Sequence, residues 1–404
     1  MPEEDPYTRP PSEPPVGITG RRSVLSAALM GLITAGICFG WFYFTTRYLY
    51  NGNWTSVYYT GSLRPMPPEL ASENIYMFPG VLGYDGHFYH LIAHDPLFQR
   101  GFSRFQDLPR VRHRRILVPA LAALLAFGHS NWVDPAYILV ILASVYLGTF
   151  WLSMWSMRRG YSPAWGLLFL ALPAGLLTML FVVVDGTLAA LTVGFFWYAE
   201  RRNSLKLFLV LACAALTRET GLFLIGGYCL WLLFQHQTVR AFIFGAAAIP
   251  ACLWFWFVQM HTKPTVFAYF SPIPLIGIYR SVLDPYVYKQ HILLILDYVG
   301  TVGILLAFVI AAYYIARRQA WNPGTFMAAA FLVFLFFVSD LGVWREVNSF
   351  GRVSTPLLLF VALTGLSRGN WWALAPVALI DLRIATVLVY HAGLIVQTIL
   401  SKRH

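Results

Sequence analysis

Long apolar runs separated by short polar punctuation dominate the chain. After a polar, proline-rich opening, residues 23–46 form an apolar run that begins just past Arg21 and Arg22. A helix needs about 20 apolar residues to cross a bilayer core, and this run is long enough. Further apolar runs lie at 136–157, 163–181, 186–200, 206–218, 220–236, 240–259, 291–316, 323–340, 353–367 and 371–391. The pattern predicts an all-α, polytopic transmembrane helical bundle of about eleven spans. In the last run Asp381 and Arg383 interrupt the apolar pattern, so one long broken helix and two short ones fit equally well.

Two polar stretches break this rhythm. The first, residues 47–115, precedes a short apolar segment at 116–128 that is about two-thirds of a span long. If that segment crossed, every later arginine pair would change sides, so it is expected to be half-buried or re-entrant. The second, 261–290, is rich in proline and tyrosine and is expected to be a structured loop. The expected organisation is a disordered tail at 1–22 and a membrane module at 23–235 that includes a large loop, 47–135, bearing juxtamembrane helices. A C-terminal transmembrane module, 236–404, carries the 261–290 loop.

Composition agrees. Of 404 residues, 58% are hydrophobic and 12% charged, whereas a soluble domain carries about a quarter charged residues. Lipid must solvate much of this surface. The net charge of +11 does not point to nucleic acid, because the positive residues, mostly arginine, sit at the ends of apolar runs and match no nucleic-acid module. By the positive-inside rule, Arg21–Arg22, Arg158–Arg159, Arg201–Arg202, Arg240, Arg317–Arg318 and Arg368 are expected in the cytoplasm with the N-terminus. Alternation then puts the 47–135 and 261–290 loops, Asp185, Arg218–Glu219 and 344–352 outside. The four cysteines lie within apolar runs and predict no disulfide framework.

Four constellations carry candidate chemistry. In Gly83-Tyr84-Asp85-Gly86-His87-Phe88-Tyr89 an acid lies between glycines and aromatics. Asp85 is placed to act as general base on a hydroxyl, or simply to cap the helix that follows. Arg110, Arg112, Arg114 and Arg115, with His113 among them, adjoin the short apolar segment. Guanidinium groups grip phosphate bidentately, and they also snorkel to headgroups. Asp185, Arg218, Glu219, Arg345, Glu346 and Arg352 lie at or within apolar runs, where ionisable groups are functional candidates unless they neutralise one another. His87, His90 and His94 share a helical face beside Asp95. A divalent metal is conceivable there, against the plainer reading of interfacial histidines. No cofactor is otherwise indicated.

Taken in order, these residues resemble the GT-C superfamily of membrane glycosyltransferases, in its poorly characterised bacterial branch. The resemblance rests on Tyr84-Asp85-Gly86 followed by Asp95-Pro96, the helix from Arg115-Ile116-Leu117-Val118-Pro119, and Arg158-Arg159-Gly160. It continues with Asp185-Gly186, Leu216-Thr217-Arg218-Glu219-Thr220 and Gly351-Arg352-Val353, covering about residues 23–235 well. It implies a polyprenyl-phosphate-linked sugar as donor, a lipid bilayer as surroundings and an extracytoplasmic site. The catalytic carboxylate would be Asp85. Arg112, Arg114, Arg115, Arg218 and Arg352 would bind the donor phosphate, while Tyr84, His87, Tyr89, Asp185 and Glu219 would orient substrate. Asp85→Asn is then expected to abolish transfer and leave folding intact. A transporter or flippase for a lipid-linked substrate, another lipid-phosphate enzyme, and a non-catalytic scaffold remain as alternatives.

Overall fold

A computed structural model describes residues 20–201, 203–264, 269–317 and 321–401. Most of the expected tail, Arg202, Arg318 and Lys402–Arg403 lie outside them.

The apolar runs form helices, in which every backbone polar group finds its partner within the segment. The first, α1 (Arg21–Leu49), ends where Asn51 and Gly52 take positive φ, and it packs along α5 (Val133–Arg158). Between them lies a polar cap. Its helices are α2 (Asp85–His94), α3 (Pro109–Arg114) and α4 (Leu117–Leu125), and Thr60–Gly61 pairs in parallel with Met77–Phe78. At nine residues α4 is about 13 Å long, so it lies against α5 and α2 rather than spanning.

Beyond α5 the chain returns through a 3-10 turn, Pro163–Phe169, and α6 (Pro173–Phe181), bent by 59° where Pro173 cannot continue the helical bonding. Next come α7 (Asp185–Arg201), α8 (Ser204–Thr217), α9 (Leu222–Phe234), α10 (Thr238–Gly245) and α11 (Ile249–His261). The second half is α12 (Ile276–Leu283), α13 (His291–Ala316), α14 (Pro323–Phe337), α15 (Leu341–Trp344), α16 (Val347–Leu366) and α17 (Ala375–Ser401). The halves interleave, with α14 against α9 and α16 against α6 and α7.

Six helical stretches among the described residues are long and apolar enough to cross a membrane, seven if the bent 163–181 pair counts as one. This multi-pass, all-α architecture replaces the expected eleven spans. The four segments that drop out, near 186–200, 206–218, 220–236 and 323–340, form helices of 13 to 17 residues. At 1.5 Å per residue they reach roughly 20–25 Å, short of a core of about 30 Å. Their apolarity has another cause in α7, where twelve of the seventeen residues are buried by protein.

The last run forms one helix, α17, which Asp381 and Arg383 do not break. Arg383 Nε instead meets Asp297 Oδ1 on α13 at 3.3 Å, both side chains 7% exposed. At one end of the bundle Arg159 reaches Glu200 (2.7 Å) and Ser367 (2.8 Å), and Arg368 covers Tyr314. The polar cap closes the opposite end, where α7 and α16 begin.

Candidate active site

The centre of the cap is an ionic cluster assembled from six separated segments. Its first member, Asp85, is the opening residue of α2. Gly83 allows the turn into that helix with φ +78°. Gly86 then lets the first turn pass the backbone, since a Cβ there would lie 2.3 Å from the Phe181 carbonyl oxygen and 2.9 Å from that of Tyr58. The glycines thus serve close packing against the protein's own backbone. Capping does not explain Asp85, because Tyr84 occupies the N-cap position and makes no side-chain cap bond.

The Asp85 carboxylate faces three arginines. Arg112 Nη1 is 2.7 Å from Oδ1, Arg352 Nη1 is 2.7 Å from Oδ2, and Arg115 Nη1 lies at 3.9 Å. Arg112 also donates to both Asp107 oxygens at 3.0 Å, and Arg64 approaches Asp107 at 3.6 Å. Arg115 bonds Glu219 through Nε (3.1 Å) and the Tyr89 hydroxyl through Nη1 (3.0 Å). Arg352 lies 3.5 Å from Asp185, which Arg218 also pairs. Its guanidinium covers the Tyr84 ring at 4.9 Å, as Arg112 covers Phe88 at 4.6 Å. Five guanidinium groups against four carboxylates leave one net positive charge. Arg218 Nε and Arg352 Nε are buried and make no hydrogen bond among the described residues.

Burial pushes the Asp85 carboxyl up, but Arg112, Arg352 and Arg115 outweigh it and hold it well below the usual carboxylate range. In this state Asp85 is a firmly ionised counter-ion. It becomes an effective base only when its arginines are drawn to another anion.

Most of the residues singled out in the sequence therefore lie together: Asp85, Arg112, Arg115, Arg218, Arg352, Tyr84, Tyr89, Asp185 and Glu219. Two do not. Arg114 points away and covers the Phe255 ring at 5.4 Å. His87 is fully buried against Met66 Sδ (3.1 Å) and Phe88. Burial, with His90 and Arg64, holds its imidazole down to about 3, so it is neutral at physiological pH.

The neighbouring candidates are structural. Arg110 donates to Thr262 and Gln259, tying α3 to the end of α11. His113 stacks on Phe98, and burial holds it down to about 4. Asp95 accepts from the backbone N–H groups of Arg100 and Phe102. Arg345 pairs with Asp284, away from the cluster. Sequence reading missed Asp107 and Arg64, which lie in the first polar loop with no local motif to mark them.

The chain matches no family model, no curated protein and no solved structure. What the arrangement can do follows from its chemistry alone. Buried guanidinium groups with unspent donors suit a phosphate ester and the charge that grows on it as a leaving group. A carboxylate among them is placed to take a proton.

Proposed function

We propose that this chain is a membrane glycosyltransferase of GT-C type. It moves a sugar from a polyprenyl-phosphate donor to an acceptor hydroxyl on the extracytoplasmic side. One observation carries this reading: Asp85 and four arginines, from segments up to 267 residues apart, converge in one buried cluster at the end of the apolar helices where the first polar loop folds down. Sidedness follows from the positive-inside rule, because Arg159, Arg201 and Arg368 belong to the other end of the bundle.

In this mechanism the donor phosphate takes hydrogen bonds from Arg112, Arg115, Arg218 and Arg352. That engagement loosens their hold on Asp85 and restores its basicity. The acceptor oxygen attacks the anomeric carbon as its proton passes to Asp85. The bond from that carbon to the phosphate oxygen breaks, and polyprenyl phosphate leaves with its charge held by the arginines. A single displacement inverts the anomeric centre. Asp185 and Glu219 fix Arg218 and Arg115, while Tyr84 and Tyr89 border the sugar.

The near-balance of charge favours a second reading, a transporter or flippase that binds the same lipid and performs no chemistry. Native mass spectrometry of gently purified protein separates them in two steps. Wild type should carry polyprenyl phosphate and Arg112→Ala/Arg352→Ala should not. Sugar transfer, present in wild type and lost in Asp85→Asn, then distinguishes enzyme from carrier. If wild type binds no such lipid even when it is supplied, the glycosyltransferase reading has no donor and fails.

A further inference from the structure

Behind the arginine cluster, α2 presents a second constellation. His90 and His94, one turn apart, bring their Nε2 atoms within 3.1 Å of each other. Glu73 and Asp134 come in from other segments. Glu73 Oε2 lies 3.4 Å from His94 Nε2, and Asp134 Oδ1 lies 2.9 Å from His90 Nε2. The ligating atoms of Glu73, His90 and His94 all fall within 4.8 Å of one another. Both imidazoles are fully buried, and the carboxylates are 12% and 21% exposed.

Hydrogen bonding alone accounts poorly for this geometry. Two Nε2 atoms facing each other satisfy at most one donor and one acceptor. His90 Nδ1 is buried with no hydrogen bond among the described residues, while Asp134 is shared between His90 and Tyr58. Charge sets the pair of acids apart as well. Asp85, Asp107, Asp185 and Glu219 all meet arginine, whereas Glu73 and Asp134 make no ion pair with Lys or Arg among the described residues.

A cation explains these features together. Zn2+ binds nitrogen and oxygen at about 2.0–2.1 Å in tetrahedral sites, which puts neighbouring ligand atoms about 3.3–3.4 Å apart. His90 and His94 are 3.1 Å apart and Glu73 lies 3.4 Å from His94, with all three ligating atoms within 4.8 Å of one another; Asp134 approaches His90 alone, at 2.9 Å. Two carboxylates cancel the charge of a divalent ion in a site too buried for an unbalanced one. An outer hydrogen bond is also present. Ser130 Oγ lies 3.1 Å from His94 Nδ1 and donates to the other Glu73 oxygen. With Nδ1 donating to Ser130, the Nε2 lone pair of His94 faces the centre.

We propose that Glu73, His90 and His94 hold one Zn2+ ion in a structural site, with Asp134 paired to His90 beside it. Imidazole nitrogen selects a transition ion over Mg2+ or Ca2+. The ion pins the 3-10 turn Pro68–Glu73 to α2, and Asp134 ties the start of α5 to His90 beside it. It fixes the helix that carries Asp85, two turns from the chemistry, and takes no part in it. The inference does not depend on the proposed activity.

The test is elemental analysis of protein purified without chelators and without a metal-affinity column. Wild type and Asp85→Asn should each carry one zinc per chain, and His94→Gln should carry almost none. Glu73→Gln removes a partly exposed ligand and serves if His94→Gln does not fold. Wild type stripped by chelator and refilled with Co2+ should show the visible absorption of a tetrahedral cobalt site. Chelator should lower the melting temperature of wild type and leave that of Glu73→Gln unchanged. The proposal is overturned if wild type retains no zinc after incubation with equimolar Zn2+ and desalting, or if both ligand variants retain it fully.

Discussion

Asp85→Asn should have two effects of opposite sign, a consequence of the ionic cluster that the sequence did not reveal. The carboxylate is the shared counter-ion of Arg112 and Arg352 at 2.7 Å, with Arg115 farther off. Breaking a buried pair by removing one partner costs about 3–5 kcal/mol. The low end applies, because Arg112 keeps Asp107 and Arg115 keeps Glu219, while Arg352 keeps only Asp185 at 3.5 Å. A loss of about 3 kcal/mol corresponds to roughly 3–4 °C of melting temperature for a chain of this size. The variant is still expected to fold, at reduced stability.

The same change raises the net charge of the cluster from one positive to two and frees guanidinium donors. Removing a carboxylate a few ångströms from a bound phosphate is worth at least about 1.4 kcal/mol, or tenfold in affinity. The variant should bind polyprenyl phosphate about tenfold more tightly, yet transfer sugar roughly 100- to 10,000-fold more slowly for want of a base. Because the folded carboxyl is depressed, its stabilising contribution is present above the unfolded value near 4 and lost as pH falls through the lower folded value. The gap between wild type and variant should hold constant from pH 8 to about 5 and close only in strong acid. Thermal melting across pH reads the stability loss and its pH dependence, lipid titration by native mass spectrometry reads the affinity, and a sugar-transfer assay reads the rate. Equal melting temperatures at pH 7 with unchanged lipid affinity would falsify the counter-ion role.

Other substitutions test separate parts of the structure. Arg352→Ala should weaken lipid-phosphate binding by roughly 10- to 100-fold, the worth of a charge-assisted hydrogen bond. Arg114→Ala, which lies outside the cluster, should stay within about twofold of wild type in the same titration. Gly86→Ala drives a Cβ into the Phe181 and Tyr58 carbonyls. It should cost at least about 1–3 kcal/mol, read as a lower melting temperature. Arg383→Ala should cost about 3–5 kcal/mol by stranding Asp297, and pairing it with Asp297→Asn should recover part of the loss. A double variant no better than the single one counts against that pair.

Local chemistry was legible in the sequence wherever a residue type was out of place for its surroundings. Asp185, Arg218 and Arg352 stood out as charges at the ends of apolar runs, and each lies in the cluster. Partnership was not legible. Arg218 and Glu219 are adjacent in the chain, yet one pairs with Asp185 and the other with Arg115. Neighbouring side chains leave the backbone in different directions, so folding alone decides whom each meets. The histidines show the same limit. The spacing of His87, His90 and His94 suggested one face, but His87 turns to Met66 while Glu73 and Asp134 complete the group around the other two.

The miscounted spans and the converging charges share one physical cause. Apolarity along a run reports that water is absent; it does not report whether lipid or protein replaces it. In α7 protein does so, because α5, α6, α8 and α16 all pack against it. A helix enclosed in this way carries Asp185 at its first position into a setting where an unpaired carboxylate is prohibitively costly. Arg218 and Arg352 must therefore arrive from elsewhere in the chain, and once they do, Asp85 and Arg115 are drawn into the same network. The interior that makes α7 look like a membrane span is thus the interior that gathers the arginines. A substitution that opens it to water, such as Gly194→Trp against Trp151, should loosen the cluster from a distance. The expected result is weaker lipid-phosphate binding alongside lower stability, read in the same titration. Lower stability with unchanged binding would separate the enclosed helix from the site it supports.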